Sequence, residues 1–126
     1  IRAKELGLHL VLDLGQTWFH RTQLPIPLGL DLVHRRLGND LGKTIAKALR
    51  DAIVHSRNHE DDALDYALDF GRGIDKETAR QFVRMYVNDD TVNFGNEGRR
   101  ALETLYRLAK GKGLIPNIPT LDIIEV

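Results

Sequence analysis

The residues of this chain with chemistry to offer are five histidines, two runs of acids and the adjacent arginines Arg35 and Arg36. His55 and His59 stand four apart, with Glu60, Asp61 and Asp62 directly behind them. That grouping could ligate a divalent metal if one helix face carried both imidazoles. Asn58 and the acids instead mark a boundary between two helices, which would spoil a shared face, so a solvated junction is the expectation. His9 and His34 each lie in a strand-like run and read as hydrogen-bonded structural residues, and His20 reads as a surface residue. His34-Arg35-Arg36 could grip a carboxylate, because a guanidinium matches one bidentately; a solvated strand end is the preferred reading. Asp89-Asp90 could serve as an acid pair, but in a polar turn between helices it is better suited to capping. Gly71-Arg72-Gly73 and Gly111-Lys112-Gly113 fall at helix C-ends, where glycine already has a conformational task, so neither is a phosphate loop. A G-x-S-x-G nucleophile turn is absent. Chemistry by spacing alone goes no further.

These residues need elements to hold them. Residues 8–15, "LHLVLDLG", read as a strand ended by Asp13 and Gly15, and "GQTWFHRTQ" as one or two helical turns anchored by Trp18 and Phe19. A proline segment and a second strand-like stretch, Gly29 to Leu37, follow. From Gly38 the apolar period changes to 3.6. One helix starts from Asn39 or Asp40 as N-cap, with Leu41, Ile45, Ala48, Leu49, Ala52 and Ile53 on its buried side. Glu60, Asp61 and Asp62 suit the positive end of the next helix, which Gly71 or Gly73 stops. Asp75 caps a third, with a stripe of Ala79, Phe82, Val83, Tyr86 and Val87. A polar connection, "NDDTVNFG", leads to a last helix that buries Leu102, Leu105, Leu108 and Ala109, pairs Glu103 with Arg107 and ends at Gly111. "TLDIIEV" reads as a final strand.

The chain has 126 residues, 42% of them hydrophobic, a formal net charge of zero and no cysteine. That is one-domain length, with no electrostatic case for nucleic acid or an anionic membrane as partner. Disulfides and thiolate metal sites are excluded, and no apolar run approaches the roughly 18 residues of a membrane-spanning helix. The chain begins at Ile1 rather than methionine, so residues preceding it are expected. Residues 1–28 are too few to own a core and must complete a lobe whose other strands lie elsewhere; residues 29–126 carry most of the helix. "QLPIPLGLDLVHRR", residues 23–36, joins the two. It is nearly all apolar from Leu24 to Val33, yet Pro25 and Pro27 cannot donate to a sheet ladder. Two readings remain from local sequence, a stiff crossing between lobes or a proline-bearing edge strand.

Residues 13–38, "DLGQTWFHRTQLPIPLGLDLVHRRLG", with residues 83–105, "VRMYVNDDTVNFGNEGRRALETL", resemble the C-terminal half of the 1,4-dihydroxy-6-naphthoate synthase family of menaquinone biosynthesis. The Asp-Leu-Gly start, the Leu-Pro-x-Pro-Leu-Gly crossing, the paired arginines, and the Tyr-Val-Asn segment before a Glu-Gly-Arg-Arg helix occur in order. Asp31 and "NEG" depart from the usual pattern.

The resemblance implies an α/β fold of the two-lobed, type II periplasmic-binding-protein kind, here only its C-terminal, mainly helical part with a few strands. Residues 1–28 would be the end of the small lobe and the crossing, and 29–126 the C-terminal part of the large lobe. The implied reaction is a carbon–carbon lyase step of the futalosine pathway. It converts cyclic dehypoxanthinyl futalosine to 1,4-dihydroxy-6-naphthoate and dihydroxyacetone in the cytoplasm, without metal or organic cofactor. The general-base histidine of the family falls upstream of Ile1, so no catalytic residue is assigned in this chain, which by itself is expected to be inactive. Pro25, Pro27, Leu28 and Gly29 are the candidates to line the substrate cleft. A small molecule is the expected partner, with a homodimer left open. Competing readings are the chorismate dehydratase of the same pathway, a non-catalytic solute-binding protein, and a plain helical interaction module.

Overall fold

The computed structural model describes residues 6–71 and 73–126; the first five residues of the expected 1–28 segment, and Arg72 of the Gly-Arg-Gly stretch, lie outside them. The described chain is mainly helical: α1 Leu14–Thr22, a 3-10 turn Arg35–Leu37, α2 Gly38–Asn58, α3 Glu60–Leu68, α4 Lys76–Tyr86, α5 Asp89–Val92 and α6 Gly95–Gly111. It divides into two units. The first takes residues up to Leu30 together with Asn96–Pro119, and the second takes Asp31–Gly95 with Thr120–Val126.

In the first unit, Asp13 has extended backbone and its side chain accepts from the Gln16 N–H, opening α1. Gln23 closes the helix in the left-handed region at φ 56°, and the chain then turns into the proline segment. Leu24, Ala101 and Leu102 are the buried apolar residues of this unit. The apolar stripe expected on α6 is therefore met at Leu102, while Leu108 stands exposed. No ion pair joins Glu103 to Arg107 among the described residues.

In the second unit, Leu64 and Ala79 are buried. Asp75 caps α4 as expected, its carboxylate accepting from the Thr78 N–H at 2.9 Å and the Thr78 hydroxyl at 2.6 Å. The start of α2 differs from the expectation of Asn39 or Asp40. The residue before the helix is Leu37, which makes no side-chain cap hydrogen bond, and Gly38 breaks the path from the 3-10 turn with φ 75°, a backbone that suits glycine. The polar connection contains a helix of its own, α5, opened by a capping box: Asn88 Oδ1 accepts from the Asp90 N–H and Thr91 Oγ1 from the Asn88 N–H. The apolar face of α2 is also less covered than its periodicity implied, with Leu41, Ile45 and Leu49 exposed.

No strand forms among the described residues, which corrects the expected strands at 8–15, 29–37 and the C-terminal tail. A strand exists only through hydrogen bonds to a neighbour, and none of these segments has one. Leu8, Leu10 and Leu12 keep the alternation of a strand yet are 60%, 75% and 60% exposed. The tail instead lies on α2. Asp122 pairs with Arg35, the Val126 carbonyl accepts from Arg50, and Ile124 occupies the space beside Gly42, where an added Cβ would come within 2.9 Å of Ile124 Cδ1.

Candidate functional site

The four residues proposed to line a cleft follow directly from α1. Trp18 Nε1 donates to the Pro25 carbonyl at 2.9 Å, and the Thr22 hydroxyl donates to the Trp18 carbonyl at 2.9 Å while accepting from the Leu24 N–H at 3.2 Å. Ile26 packs towards Gly15, where an added Cβ would meet Ile26 Cγ2 at 3.7 Å. Leu24 is only 5% exposed and Pro25, Ile26 and Pro27 are partly covered, whereas Leu28 is 67% exposed and Gly29 opens on empty space. The segment thus begins pinned to the helix and ends bare. Pro25 and Pro27 have no N–H, so a side-chain donor from α1 does the fixing that a sheet ladder would otherwise do.

Behind this pinned start, Arg21 and Thr22 of α1, Leu24, Arg100 and Arg107 of α6 and Ile118 border an open groove of about 710 Å³. Its guanidiniums could attract a carboxylate, and Glu103 on the same helix face offsets part of their charge. Sequence reading missed this grouping because its members come from two helices far apart in the chain. The nearest available hint was that Arg100, Glu103 and Arg107 share one helix face.

The other sequence candidates take structural posts. His9 and His20 are exposed. The His34 ring Nδ1 accepts from the Arg36 N–H at 3.1 Å and so caps the 3-10 turn, while Arg35 pairs with Asp122. His55 and His59 do flank a helix junction, but the junction does not separate them: the rings stack with centroids 4.2 Å apart, and His59 Nδ1 meets the His55 carbonyl at 2.9 Å. Two imidazoles make at most a partial metal site, and no group of three or more ligating side chains occurs among the described residues. Asp89 and Asp90 sit in the first turn of α5 behind the Asn88 cap, with Asp89 paired to Arg57 at 2.9 Å.

The strongest electrostatics lie in the second unit, between α3 and α4. Glu60 accepts from Arg84 through two hydrogen bonds of 2.7 Å and also from Arg80, which reaches Asp61 at 2.7 Å. Lys76 lies 2.6 Å from Asp65. Arg84 first, and then Arg80, hold the Glu60 carboxyl below its ordinary value, and Arg80 followed by Lys76 does the same for Asp61. Asp65 raises Lys76, and both arginines are raised in turn, Arg80 by Asp61 first and Arg84 by Glu60. Glu60, Asp61 and Asp65 are each matched by a cation, which marks a helix-to-helix clamp.

Comparison with known proteins adds the following. The model of the family described as menaquinone biosynthesis matches residues 1–111. The 1,4-dihydroxy-6-naphthoate synthase of Streptomyces coelicolor is 33% identical over 110 residues, covering 87% of this chain and 39% of that protein. The enzyme of the same name from Thermus thermophilus is 36% identical over 113 residues, covering 90% of this chain and 42% of its own length. A crystal structure of a protein from Archaeoglobus fulgidus superposes with a TM-score of 0.87 at 39% identity, covering 91% of this chain and 44% of the other. The chain thus spans about two fifths of the length of the relatives it matches.

Proposed function

Since this chain belongs to the menaquinone-biosynthesis family, we propose that it is the C-terminal part of a 1,4-dihydroxy-6-naphthoate synthase. The whole enzyme would be a cytoplasmic carbon–carbon lyase of the futalosine pathway that splits cyclic dehypoxanthinyl futalosine into 1,4-dihydroxy-6-naphthoate and dihydroxyacetone. The observation that carries this reading is the agreement of two curated relatives of one name across nearly all of this chain. The fold of the whole enzyme in this reading is two-lobed, of the type II periplasmic-binding kind. In that fold, the two runs of alternating leucine would pair with strands supplied by polypeptide preceding Ile1.

In this reading the general-base histidine also lies before Ile1, and none of the five histidines here takes its place. What this chain contributes is one wall of the cleft. Pro25, Pro27, Leu28 and Gly29 face the small-molecule substrate, with Leu28 and Gly29 at the bare end of the segment offering contact surface. Closing the cleft over the substrate expels water and holds the reacting bond against the base, which is where such a lyase must find its rate. No helix of the described residues is long and apolar enough to cross a membrane.

The test is direct. The full polypeptide incubated with cyclic dehypoxanthinyl futalosine should release dihydroxyacetone and the naphthoate in equal amounts, and the 126-residue chain alone should release neither. Turnover by the isolated chain, or none by the full polypeptide, would defeat the assignment.

A further inference from the structure

The proline crossing has a mechanical problem that its sequence creates. Pro25 and Pro27 fix φ but donate nothing, so the segment cannot hold itself to the body of its unit through their amides. At its far end Leu28 and Gly29 touch little: Leu28 is 67% exposed and nothing lies within 4 Å of a Cβ built on Gly29. Its trajectory is therefore decided at the near end, and there the polar restraint on the Pro25 carbonyl is the Trp18 indole N–H at 2.9 Å, in a partly buried setting. Thr22 ties the same place twice more, donating to the Trp18 carbonyl and accepting from Leu24, so that helix, indole and crossing form one closed circuit of hydrogen bonds.

We propose that Trp18 is a positioning residue for the substrate-facing crossing, its indole N–H setting the direction in which Pro27, Leu28 and Gly29 leave α1. This rests on the reading that the crossing lines the cleft. An indole suits the task, because a large flat ring with two side-chain torsions loses little conformational entropy when fixed and carries its one donor at a rigid distance from the helix. Losing that donor leaves the Pro25 carbonyl partly buried without a partner, a change worth about a factor of ten in any equilibrium that depends on it. The cost falls on the closed, catalytic arrangement, where a shift of about 1 Å in a wall suffices to slow chemistry.

The experiment uses the full polypeptide with three variants. In the first, Trp18 is replaced by 3-benzothienylalanine, which keeps the ring's shape and substitutes sulfur for the N–H. The second is Trp18→Phe. The third is Gly29→Val, which adds bulk at the bare end where the structure has room for it. The expected result is a fall in kcat of at least about fivefold for the sulfur isostere, with KM within about twofold and a melting temperature lowered by no more than about 4 °C. Trp18→Phe should show a larger fall, and Gly29→Val should raise KM. An isostere with wild-type kcat, or one that loses kcat and melting temperature in step, would overturn the positioning role. Gly29→Val with an unaltered KM would remove the cleft reading itself, and with it the role of Trp18 in catalysis, whatever the isostere did.

Discussion

The two units of this chain are held by opposite kinds of force. In the first, the ties that hold the proline crossing are neutral: an indole N–H on a proline carbonyl, a threonine hydroxyl used as both donor and acceptor, and apolar burial at Leu24, Ala101 and Leu102. In the second, α3 and α4 are joined by a lattice of Glu60, Asp61, Arg80 and Arg84, with Lys76 and Asp65 at its edge. Exposed ion pairs weaken with salt and acid, whereas a partly buried neutral hydrogen bond does not. The segment proposed to face the substrate is thus fixed by contacts indifferent to ionic conditions, and the charged clamp sits in the unit to which no chemistry is assigned.

The comparison is tested hardest by emptying each core. Leu102→Ala in the first unit and Leu64→Ala in the second each remove a side chain that is at most 3% exposed, and each should cost about 2–5 kcal/mol. Amide exchange on the full polypeptide should show protection lost mainly within the unit that carries the substitution. Loss spread evenly across both units from either variant would mean that the division has no energetic counterpart. Next in size, Pro25→Gly combined with Pro27→Gly should lower turnover by on the order of tenfold while shifting the melting temperature by only a few degrees, because the substitutions free the wall without emptying a core. Equal losses in melting and initial rate would assign the prolines to packing.

Sequence reading did best where the cause is local. The Asp75 cap, the acidic start of α3 and the end of α6 at Gly111 were all legible, because each depends on residues within one helical turn. It did worst where the partner is distant or missing. Leu8, Leu10 and Leu12 alternate as a strand does, yet alternation records only a preference for two faces, and without a neighbouring strand the segment stays irregular. The α3–α4 clamp was half visible. The acids were read as dipole partners, and nothing in a separation of 20 to 24 residues announced that Arg80 and Arg84 would meet Glu60. The Trp18–Pro25 bond, seven residues apart, lay within reach of local reasoning. It was missed because Trp18 was read only as an apolar anchor, with its donor left uncounted. The error over His55 and His59 is similar, since a helix boundary need not turn the chain enough to part side chains four residues apart.

Acid should separate the two units with a smaller effect. Glu60 and Asp61 have carboxyls held below their ordinary values of 4.5 and 3.8 in the folded state. Their contribution is therefore fully present above those values and is lost as pH falls through the lower folded ones. Amide protection in α3 and α4 should decline as the full polypeptide is taken from pH 6 to pH 3, ahead of protection in α1 and α6. Glu60→Gln should flatten that decline, and 0.5 M salt should act in the same direction at neutral pH. A decline that begins in α1 would show that the neutral unit is the acid-sensitive one.

The smallest effect concerns the tail. Gly42→Ala places a methyl 2.9 Å from Ile124 Cδ1, closer than carbon atoms tolerate, but the obstacle is the far end of a flexible side chain. Replacing glycine by alanine within α2 favours the helix by about 1 kcal/mol, and displacing the Ile124 tip costs a comparable amount. The two should nearly cancel, leaving stability within about 1 kcal/mol of wild type. Gly42→Leu brings the same helix gain with a much larger intrusion and should push residues 120–126 off α2, breaking the Arg35–Asp122 and Arg50–Val126 ties. Protease nicking confined to the tail of the leucine variant, with the alanine variant intact, is the expected pattern. A strongly destabilised alanine variant would mean that the tail is rigidly seated and belongs to the core of the second unit.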